Sequence, residues 1–264
     1  MRLILKFLAI SLVFSCTKKS YSSVSIIGHA GMGLSMENSL YHDNSKEAIE
    51  LCLAFPNSDG VEVDVQMDNQ GCLWLYHDEF LDNISSLKGC VNDKTTSELE
   101  QACYKTLKKE KLVKLSQILP LIGENQKIFL DIKNRNTCAN VNLDFNLFEQ
   151  NLTNTLGENT SKVVLILSDT NWLKSLNETY SVYFGSDNFS SGYNLLIENP
   201  TVNGIVIRNK AIEKSQIEEI AMLGKDVFLF DIRSPKGNRE ALKKNPKGII
   251  TDDIRAALIE KYHE

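Results

Sequence analysis

The chain has 264 residues, of which 42% are hydrophobic, and its formal net charge is −5. This length and apolar content suit one large α/β domain with a sizeable core. The acidic balance argues against nucleic acid as a partner and supplies no overall basic field for an anionic membrane surface. An anionic substrate would therefore have to be held locally, by a metal ion or by a few basic side chains.

The first segment has the pattern of an export signal. Arg2 and Lys6 flank its start, and the apolar run at residues 7–14 is too short to span a bilayer. The stretch VFSC at residues 13–16 resembles a bacterial lipobox, in which Cys16 becomes the lipidated first residue of the mature protein. The sequence therefore predicts an exported lipoprotein, and a plain secretory signal is the alternative.

This pattern divides the chain into three parts. Residues 1–15 are expected to form the signal peptide, residues 16–23 a polar tether, and residues 24–264 a single folded domain. Acyl chains on Cys16 would anchor the mature protein to a bacterial membrane, facing the periplasm or the cell surface. Without lipidation the protein would be secreted. The sequence predicts no particular oligomeric state.

Five further cysteines follow Cys16, at positions 52, 72, 90, 103 and 138. Export allows a disulfide, and the odd number leaves at least one thiol free or bonded to another chain. Cys90 and Cys103 bracket one polar segment and are the expected pair, although the spacing leaves other pairings open. The sequence contains no CxxC motif and no cluster of Cys and His, which argues against a structural zinc site.

Eight short apolar runs follow the tether, and each has the near-continuous apolar character of a buried parallel strand. They occupy residues 24–28, 60–66, 127–132, 162–168, 181–185, 204–208, 226–232 and 248–252. Eight strands close a (β/α)8 barrel, so the expected fold class is α/β, a TIM-type barrel in a single domain. An open doubly wound sheet is the alternative, but no GxGxxG motif follows the first run.

Segments with helical spacing or helix caps alternate with these runs. They lie at residues 45–55, 115–122, 142–156, 171–176, 214–223, 238–245 and 254–262. Residues 80–114 depart from the alternation and are expected to form an insertion after the second strand, over the mouth of the barrel. The insertion is expected to contain a helix at residues 97–109, with the lysines between 105 and 114 on its solvated face.

Polar side chains stand at the ends of the predicted strands, where TIM barrels collect their catalytic residues. His29 follows the first strand, while Glu62 and Asp64 lie two apart on the second, so that both point to one face. Two carboxylates on one face repel each other, and a hard divalent cation relieves that repulsion. Asp131 and Lys133 repeat the spacing at the end of the third strand, and they add a carboxylate and a cationic side chain.

A hairpin is expected directly after the second strand, because the turn at residues 69–71 leaves no room for a helix. Counting outward from this turn pairs Asp64 with Tyr76. The returning strand then brings His77 alongside the two carboxylates. Asp78 follows it and is expected to support the neighbouring loop.

These motifs resemble, in order and spacing, those of the glycerophosphodiester phosphodiesterase family. The matching segments are GHAG at 28–31, ENS at 37–39, DGVEVDV at 59–65, YHD at 76–78, DIK at 131–133 and GIITD at 248–252. The second half of the chain matches only by pattern, apart from the last segment. The resemblance implies a TIM-type barrel and a metal-dependent hydrolase that converts glycerophosphodiesters to glycerol 3-phosphate and an alcohol.

The resemblance also implies a role for each matched residue. The roles are proton transfer for His29 and His77, cation binding for Glu62, Asp64 and Asp131, phosphate contact for Lys133, and support of the site for Glu37 and Asn38. The implied cofactor is Mg²⁺ or Ca²⁺, because all three ligands offer oxygen. The implied partner is a small phosphodiester, and the sequence does not assign which histidine is the acid and which the base.

Two positions and one four-residue segment depart from the family's pattern. Ala30 stands where the family has an arginine suited to a bidentate phosphate contact. Asp131 stands where the family has glutamate, and its shorter arm withdraws the carboxylate by about 1.5 Å, enough to admit a water. FDIR at residues 230–233 replaces the family's Trp-Thr-Val-Asn. Arg233, or else Arg208, is expected to replace the missing arginine, unless both are paired with neighbouring carboxylates.

Two other functions remain open for this site. One is that of a phospholipase-D-like or cyclising lyase, which acts on lysolipids or sphingolipids and leaves a stable cyclic phosphate. The other is that of a surface lipoprotein that binds phosphodiesters without cleaving them, which Ala30 favours and the pair of histidines opposes.

The remaining histidines and both tryptophans are expected to take no part in the chemistry. His42 and His263 have no strand-end position, so both are expected to be surface groups. Trp74 and Trp172 are expected to be packing residues, because large aromatic side chains mostly bury apolar area.

Overall fold

The computed structural model describes residues 21–33 and 39–262. The predicted signal peptide and the lipidation site at Cys16 lie outside the described residues, and so do Glu37, Asn38 and His263. Within the described ranges, no helix combines the length and the apolar character needed to cross a bilayer.

Eight parallel strands close into a barrel, which confirms the predicted fold class. The described strands are β1 (Ser25–His29), β2 (Gly60–Met67), β3 (Leu73–Leu75), β4 (Val113–Lys114), β5 (Lys127–Ile132), β6 (Arg135–Asn136), β7 (Val141–Asn142), β8 (Val163–Leu167), β9 (Ser181–Ser186), β10 (Gly204–Arg208), β11 (Asp226–Ile232) and β12 (Gly248–Thr251). The ring runs β1, β2, β5, β8, β9, β10, β11, β12, and β12 pairs with β1 to close it. β3 pairs antiparallel with the carboxyl end of β2, and β4 pairs antiparallel with β3. Each predicted apolar run matches one barrel strand to within one residue at either end.

Helices follow the strands and pack on the outside of the barrel. The described helices are α1 (Lys46–Ala54), α2 (Thr96–Gln101), α3 (Leu115–Ile118), α4 (Phe145–Leu156), α5 (Thr170–Leu176), α6 (Phe189–Glu198), α7 (Lys214–Met222), α8 (Pro235–Lys243) and α9 (Ile254–Tyr262). Side-chain caps set several of the starts. Asp144 accepts from the Leu147 amide, for example, so α4 begins three residues later than predicted.

The sequence does not predict α6, because its residues include Gly192 and two serines, which are poor helix formers. Packing on the barrel stabilises the helix instead. A Cβ at Gly192 would come within 3.1 Å of Ile205, so glycine lets the helix approach the sheet closely. Leu195 and Leu196 are buried on the same side.

The predicted helix at residues 97–109 is wrong beyond Gln101, where α2 ends. The following residues fold back in an antiparallel turn, in which the Tyr104 N–H donates to the Glu110 carbonyl at 2.8 Å. Tyr104 is buried beneath the insertion, and Lys109 has a φ of +51°, outside the helical region. The lysines at 105–111 therefore lie on a turn and not on a helix face, while Lys114 ends strand β4.

The apolar core has a layer on each side of the barrel wall, and the insertion has a cluster of its own. The outer layer lies between strands and helices and contains Trp172. The inner layer consists of Ile27, Phe129, Val164, Ile166, Tyr183, Val206, Phe228 and Ile250. Trp74 and Tyr76 belong to the cluster of the insertion. Both tryptophans are thus buried packing residues, as predicted, and the filled interior leaves polar groups to the barrel ends.

The prediction that His42 is a surface group is wrong. Its ring stacks on Tyr104 with centroids 3.8 Å apart, and its Nδ1 lies 2.8 Å from Asp43 Oδ1. Its backbone N–H donates to Glu110 at 2.9 Å. Burial lowers the pKa of His42, but the contact with Asp43 outweighs burial and raises that pKa. His42 therefore fastens the loop before α1 to the insertion.

The disulfide joins Cys90 to Cys138, so the predicted pairing of Cys90 with Cys103 is wrong. Cys138 lies between β6 and β7, in a hairpin that folds onto the insertion, where Asn136 donates to Asp93 at 2.9 Å. Cys103 keeps a free thiol. The bonded cysteines are 48 residues apart, and no local pattern predicts that their segments meet.

Removing the disulfide is expected to lower the free energy of unfolding by about 2–4 kcal/mol, because the bond closes a long loop in the unfolded chain. The variant is Cys90→Ala/Cys138→Ala, compared with the parent by denaturant unfolding. Cys103→Ser is the matched control and should change the stability by less than about 0.5 kcal/mol. Equal stability of the parent and the double variant would show that this bond does not stabilise the fold.

Candidate active site

A cleft of about 600 Å³ opens where the parallel strands end. Its charged lining includes His29, Glu62, Asp64, His77, Asp131, Lys133, Arg208 and Arg233. Strand register explains how four of these residues meet. His29 on β1 pairs with Glu62 on β2, and Asp64 on β2 pairs with Asp131 on β5. Three carboxylates and an imidazole are therefore brought together by backbone pairing alone.

The carboxylates of Glu62, Asp64 and Asp131 each place an oxygen within 4.8 Å of the other two. Burial, followed by repulsion from Asp64, raises the pKa of Glu62. Burial also opposes ionisation of Asp64, but Lys133 outweighs burial and lowers the pKa of that carboxyl. Buried oxygen donors that repel one another at this spacing fit a hard divalent cation.

Lys133 provides positive charge beside the cluster. Its Nζ lies 2.9 Å from Asp64 Oδ1 and 2.6 Å from Asp131 Oδ2. Burial lowers the pKa of Lys133, but the two carboxylates outweigh it and raise that pKa well above its usual range. The lysine therefore stays charged. One ammonium group offsets one carboxylate, so a divalent cation would neutralise the other two.

His29 is held between two carboxylates. Its Nδ1 donates to Asp252 Oδ1 at 2.5 Å, and its Nε2 lies 3.8 Å from Glu62 Oε2. Burial lowers the pKa of His29, but the hydrogen bond to Asp252 and the charge of Glu62 outweigh it and raise the pKa to about 9. The next residue, Ala30, donates its N–H to Glu62 Oε2 at 3.1 Å. Asp252 was not among the site residues predicted from the sequence, although its position after the last strand was a signal for such a role.

His77 returns to the cleft on the hairpin that the sequence predicts. The Tyr76 N–H donates to the Asp64 carbonyl at 3.0 Å, which is the predicted pairing. His77 Nδ1 lies 2.9 Å from Asp78 Oδ1, so Asp78 orients the ring. His77 is the more accessible of the two histidines, since 39% of its side chain is exposed, compared with 17% for His29.

Asn44 supports the cluster, although it was not among the site residues predicted from the sequence. Buried with a φ of +56°, it donates from Nδ2 to Asp64 Oδ2 at 2.8 Å and accepts from the Asp64 N–H at 3.0 Å. The sequence carried a signal for this residue, because DNS at residues 43–45 has the same acidic–Asn–Ser pattern as residues 37–39. Ser45 of that tripeptide caps α1.

Arg208 and Arg233 both line the cleft, and both pair with Asp231, which is the alternative that the sequence left open for them. Arg208 Nη1 lies 3.2 Å from Asp231 Oδ2, and Arg233 Nε lies 2.8 Å from Oδ1. Asp231 has a φ of +61° within an irregular part of β11, and the Arg208 guanidinium lies 5.0 Å from the centre of the Phe230 ring. Both arginine side chains are well exposed, and exposed ion pairs are weak. Their guanidinium groups therefore remain able to exchange partners.

Fold and site together define a (β/α)8 barrel whose cleft contains a cluster of three carboxylates and two histidines. Residues 33–256 match the glycerophosphoryl diester phosphodiesterase family. The chain belongs to that family, which is a family of phosphoric diester hydrolases, and the family predicted from the motifs is confirmed.

Relatives extend this comparison. A glycerophosphodiester phosphodiesterase from Bacillus altitudinis is 29% identical over 102 residues, which are 37% of this chain and 41% of the relative. The match thus spans less than half of that relative. A family member from Agrobacterium tumefaciens has a TM-score of 0.79 at 14% identity, over 90% of this chain and 97% of its own. A phosphodiesterase from Oleispira antarctica, solved with the product sn-glycerol-3-phosphate, has a TM-score of 0.72 at 15% identity, over 89% of this chain and 96% of its own. These structures confirm the barrel fold.

Proposed function

We propose that this chain hydrolyses glycerophosphodiesters to glycerol 3-phosphate and an alcohol. The observation that carries the proposal is that His29 and His77 line one cleft together with the three-carboxylate cluster. Two imidazoles beside a cation site are suited to phosphodiester cleavage, since it needs one proton removed and one delivered. Family membership supports this class of reaction. The product bound to the Oleispira antarctica relative supports the choice of substrate.

Glu62, Asp64 and Asp131 would hold the divalent cation of this enzyme. Mg²⁺ or Ca²⁺ suits their oxygen donors, and the short arm of Asp131 leaves room for water among the ligands. When bound, such a cation polarises a phosphoryl group and offsets its negative charge.

The two histidines would carry the proton transfers. One removes the proton from a glycerol hydroxyl as that oxygen attacks phosphorus. The other protonates the alcohol oxygen as its bond to phosphorus breaks, which leaves a cyclic phosphate. Water then opens the ring with the two roles reversed. Asp252 is hydrogen-bonded to Nδ1 of His29, and Asp78 is hydrogen-bonded to Nδ1 of His77. In each ring, Nε2 is therefore the nitrogen available to substrate.

Lys133 and an arginine would hold the phosphate. Lys133 already lies beside the cation ligands, and Arg233, with Arg208 as the second candidate, would supply the bidentate contact that Ala30 cannot. The ion pairs of both arginines with Asp231 are exposed. The free-energy cost of breaking them to bind a phosphate is therefore small.

His29→Ala and His77→Ala are each expected to lower kcat by about 10²- to 10⁴-fold, the usual contribution of a general acid or base. The measurement is turnover of glycerophosphocholine with ³¹P NMR of the products. Glycerol 3-phosphate as the product supports the proposal. A stable cyclic phosphate would identify the lyase instead, and a parent that binds without turnover would identify the binding protein.

Two further variants sharpen this experiment. Asp252→Asn keeps the His29 ring but removes the negative charge that orients this ring. The decrease in kcat should therefore be smaller for Asp252→Asn than for His29→Ala. Asp253→Asn changes the adjacent carboxylate, which does not line the cleft, and serves as the matched control. Turnover of either histidine variant within a few-fold of the parent would contradict the assignment.

We further propose that the protein is exported and lipid-anchored at Cys16, on the support of the lipobox pattern. Growth of a bacterial expression host with labelled palmitate is expected to label the parent and not Cys16→Ser. An unlabelled parent would contradict the anchor.

A further inference from the structure

The turn at residues 105–111, called the lysine turn from here on, is a cationic projection on an acidic protein. Lysines occupy four of its seven positions, at 105, 108, 109 and 111. Leu107 lies among them and is fully exposed. A single exposed leucine is ordinary on a protein surface, so what distinguishes this segment is the combination of that apolar side chain with four lysines.

Carboxylates do not balance the charge of the lysine turn within the described residues. Lys105 donates to the carbonyl of Asp82, and Lys111 donates to the carbonyl of Gln101 at 2.9 Å. None of the ion pairs formed among residues 21–33 and 39–262 includes a lysine of this turn. Among the described residues, the ammonium groups of Lys108 and Lys109 have neither kind of partner, so these two are available to an external anion.

The one acidic residue of the turn is engaged internally. Glu110 is buried and accepts from the His42 N–H and from the Thr106 hydroxyl. Thr106 in turn accepts from the Lys109 N–H at 3.0 Å. These bonds fix the shape of the turn, so Leu107 and the lysines project from a defined backbone and not from a loose loop.

The lysine turn lies at the catalytic end of the barrel. Tyr104, just before it, stacks on His42 with centroids 3.8 Å apart and on Tyr76 at 6.1 Å. Tyr76 directly precedes His77, which lines the cleft. A surface that contacts the turn would therefore meet the protein on the side where the substrate enters.

We propose that the lysine turn is a membrane-contact element, which binds anionic phospholipid head groups while Leu107 enters the interface. Lysines beside an exposed apolar side chain suit a surface that is anionic outside and apolar beneath. Each lysine near such a surface strengthens binding about fivefold. The net charge of −5 does not oppose this, because charges more than about 10 Å away are largely screened at 0.1 M salt. The proposal goes beyond the phosphodiesterase activity and does not depend on it.

The test is co-sedimentation of the full chain with vesicles of phosphatidylcholine, with and without 30% phosphatidylglycerol. Every arm carries Cys16→Ser, so that acyl chains are absent and residues 1–20 contribute equally. Lys108→Ser/Lys109→Asn is expected to weaken binding to the anionic vesicles by about 25-fold, a fivefold loss for each lysine. Asn is chosen at position 109 because it tolerates the positive φ there. Leu107→Ser is expected to weaken binding to the same vesicles by a smaller factor.

Lys174→Ser/Lys243→Ser is the matched control, because it removes two exposed lysines from the last turns of α5 and α8, at the opposite end of the barrel. It should bind the anionic vesicles as the parent does. The proposal is overturned if the parent shows no preference for the anionic vesicles, or if the control loses as much binding as the turn variant. Unchanged turnover of soluble glycerophosphocholine by the turn variants is expected, which separates this proposal from the catalytic one.

Discussion

Repulsion among Glu62, Asp64 and Asp131 is the constraint on which the catalytic end of the barrel depends. The register of β1, β2 and β5 brings these carboxylates together, and burial increases the cost of keeping them ionised. The surrounding groups offset that cost. Asn44 donates to one carboxylate, the Ala30 N–H donates to another, and Lys133 lies between two of them. A divalent cation would complete this compensation.

Barrel closure is what completes the histidine site. His29 lies at the end of the first strand, and its partner Asp252 follows the last, 223 residues later. The two meet only because β12 pairs with β1. The orientation of the imidazole is therefore coupled to the integrity of the whole ring. His77, by contrast, depends on a local hairpin, and its partner Asp78 is the next residue.

The sequence predicted the parts of the structure that depend on local pattern. The barrel strands are buried on both faces, so each appears as an apolar run, and counting from the turn at residues 69–71 paired Asp64 with Tyr76 as the structure does. Features set by distant contacts were missed. Two of these features join remote segments, namely the disulfide from Cys90 to Cys138 and the hydrogen bond from His29 to Asp252. The third is α6, whose residues are weak helix formers and which is stabilised by packing on the barrel.

One error had a different cause, since local pattern misled. Lysines between 105 and 114 suggested a helix face, but burial of Tyr104 imposes a turn on that segment. The three-dimensional placement of these side chains, and not their number, decides the local structure.

We propose that phosphodiester cleavage by this chain requires a cation held by Glu62, Asp64 and Asp131. Calorimetric titration of the chelator-treated protein with Mg²⁺ or Ca²⁺, with turnover followed over the same titration, tests it most directly. Turnover is expected to rise in step with occupancy of one site. Glu62→Gln should fold at least as stably as the parent in chelator, because the unfavourable charge is gone, and should bind the cation at least about tenfold more weakly. Full turnover after exhaustive chelation, or unchanged cation affinity in Glu62→Gln, would contradict the claim.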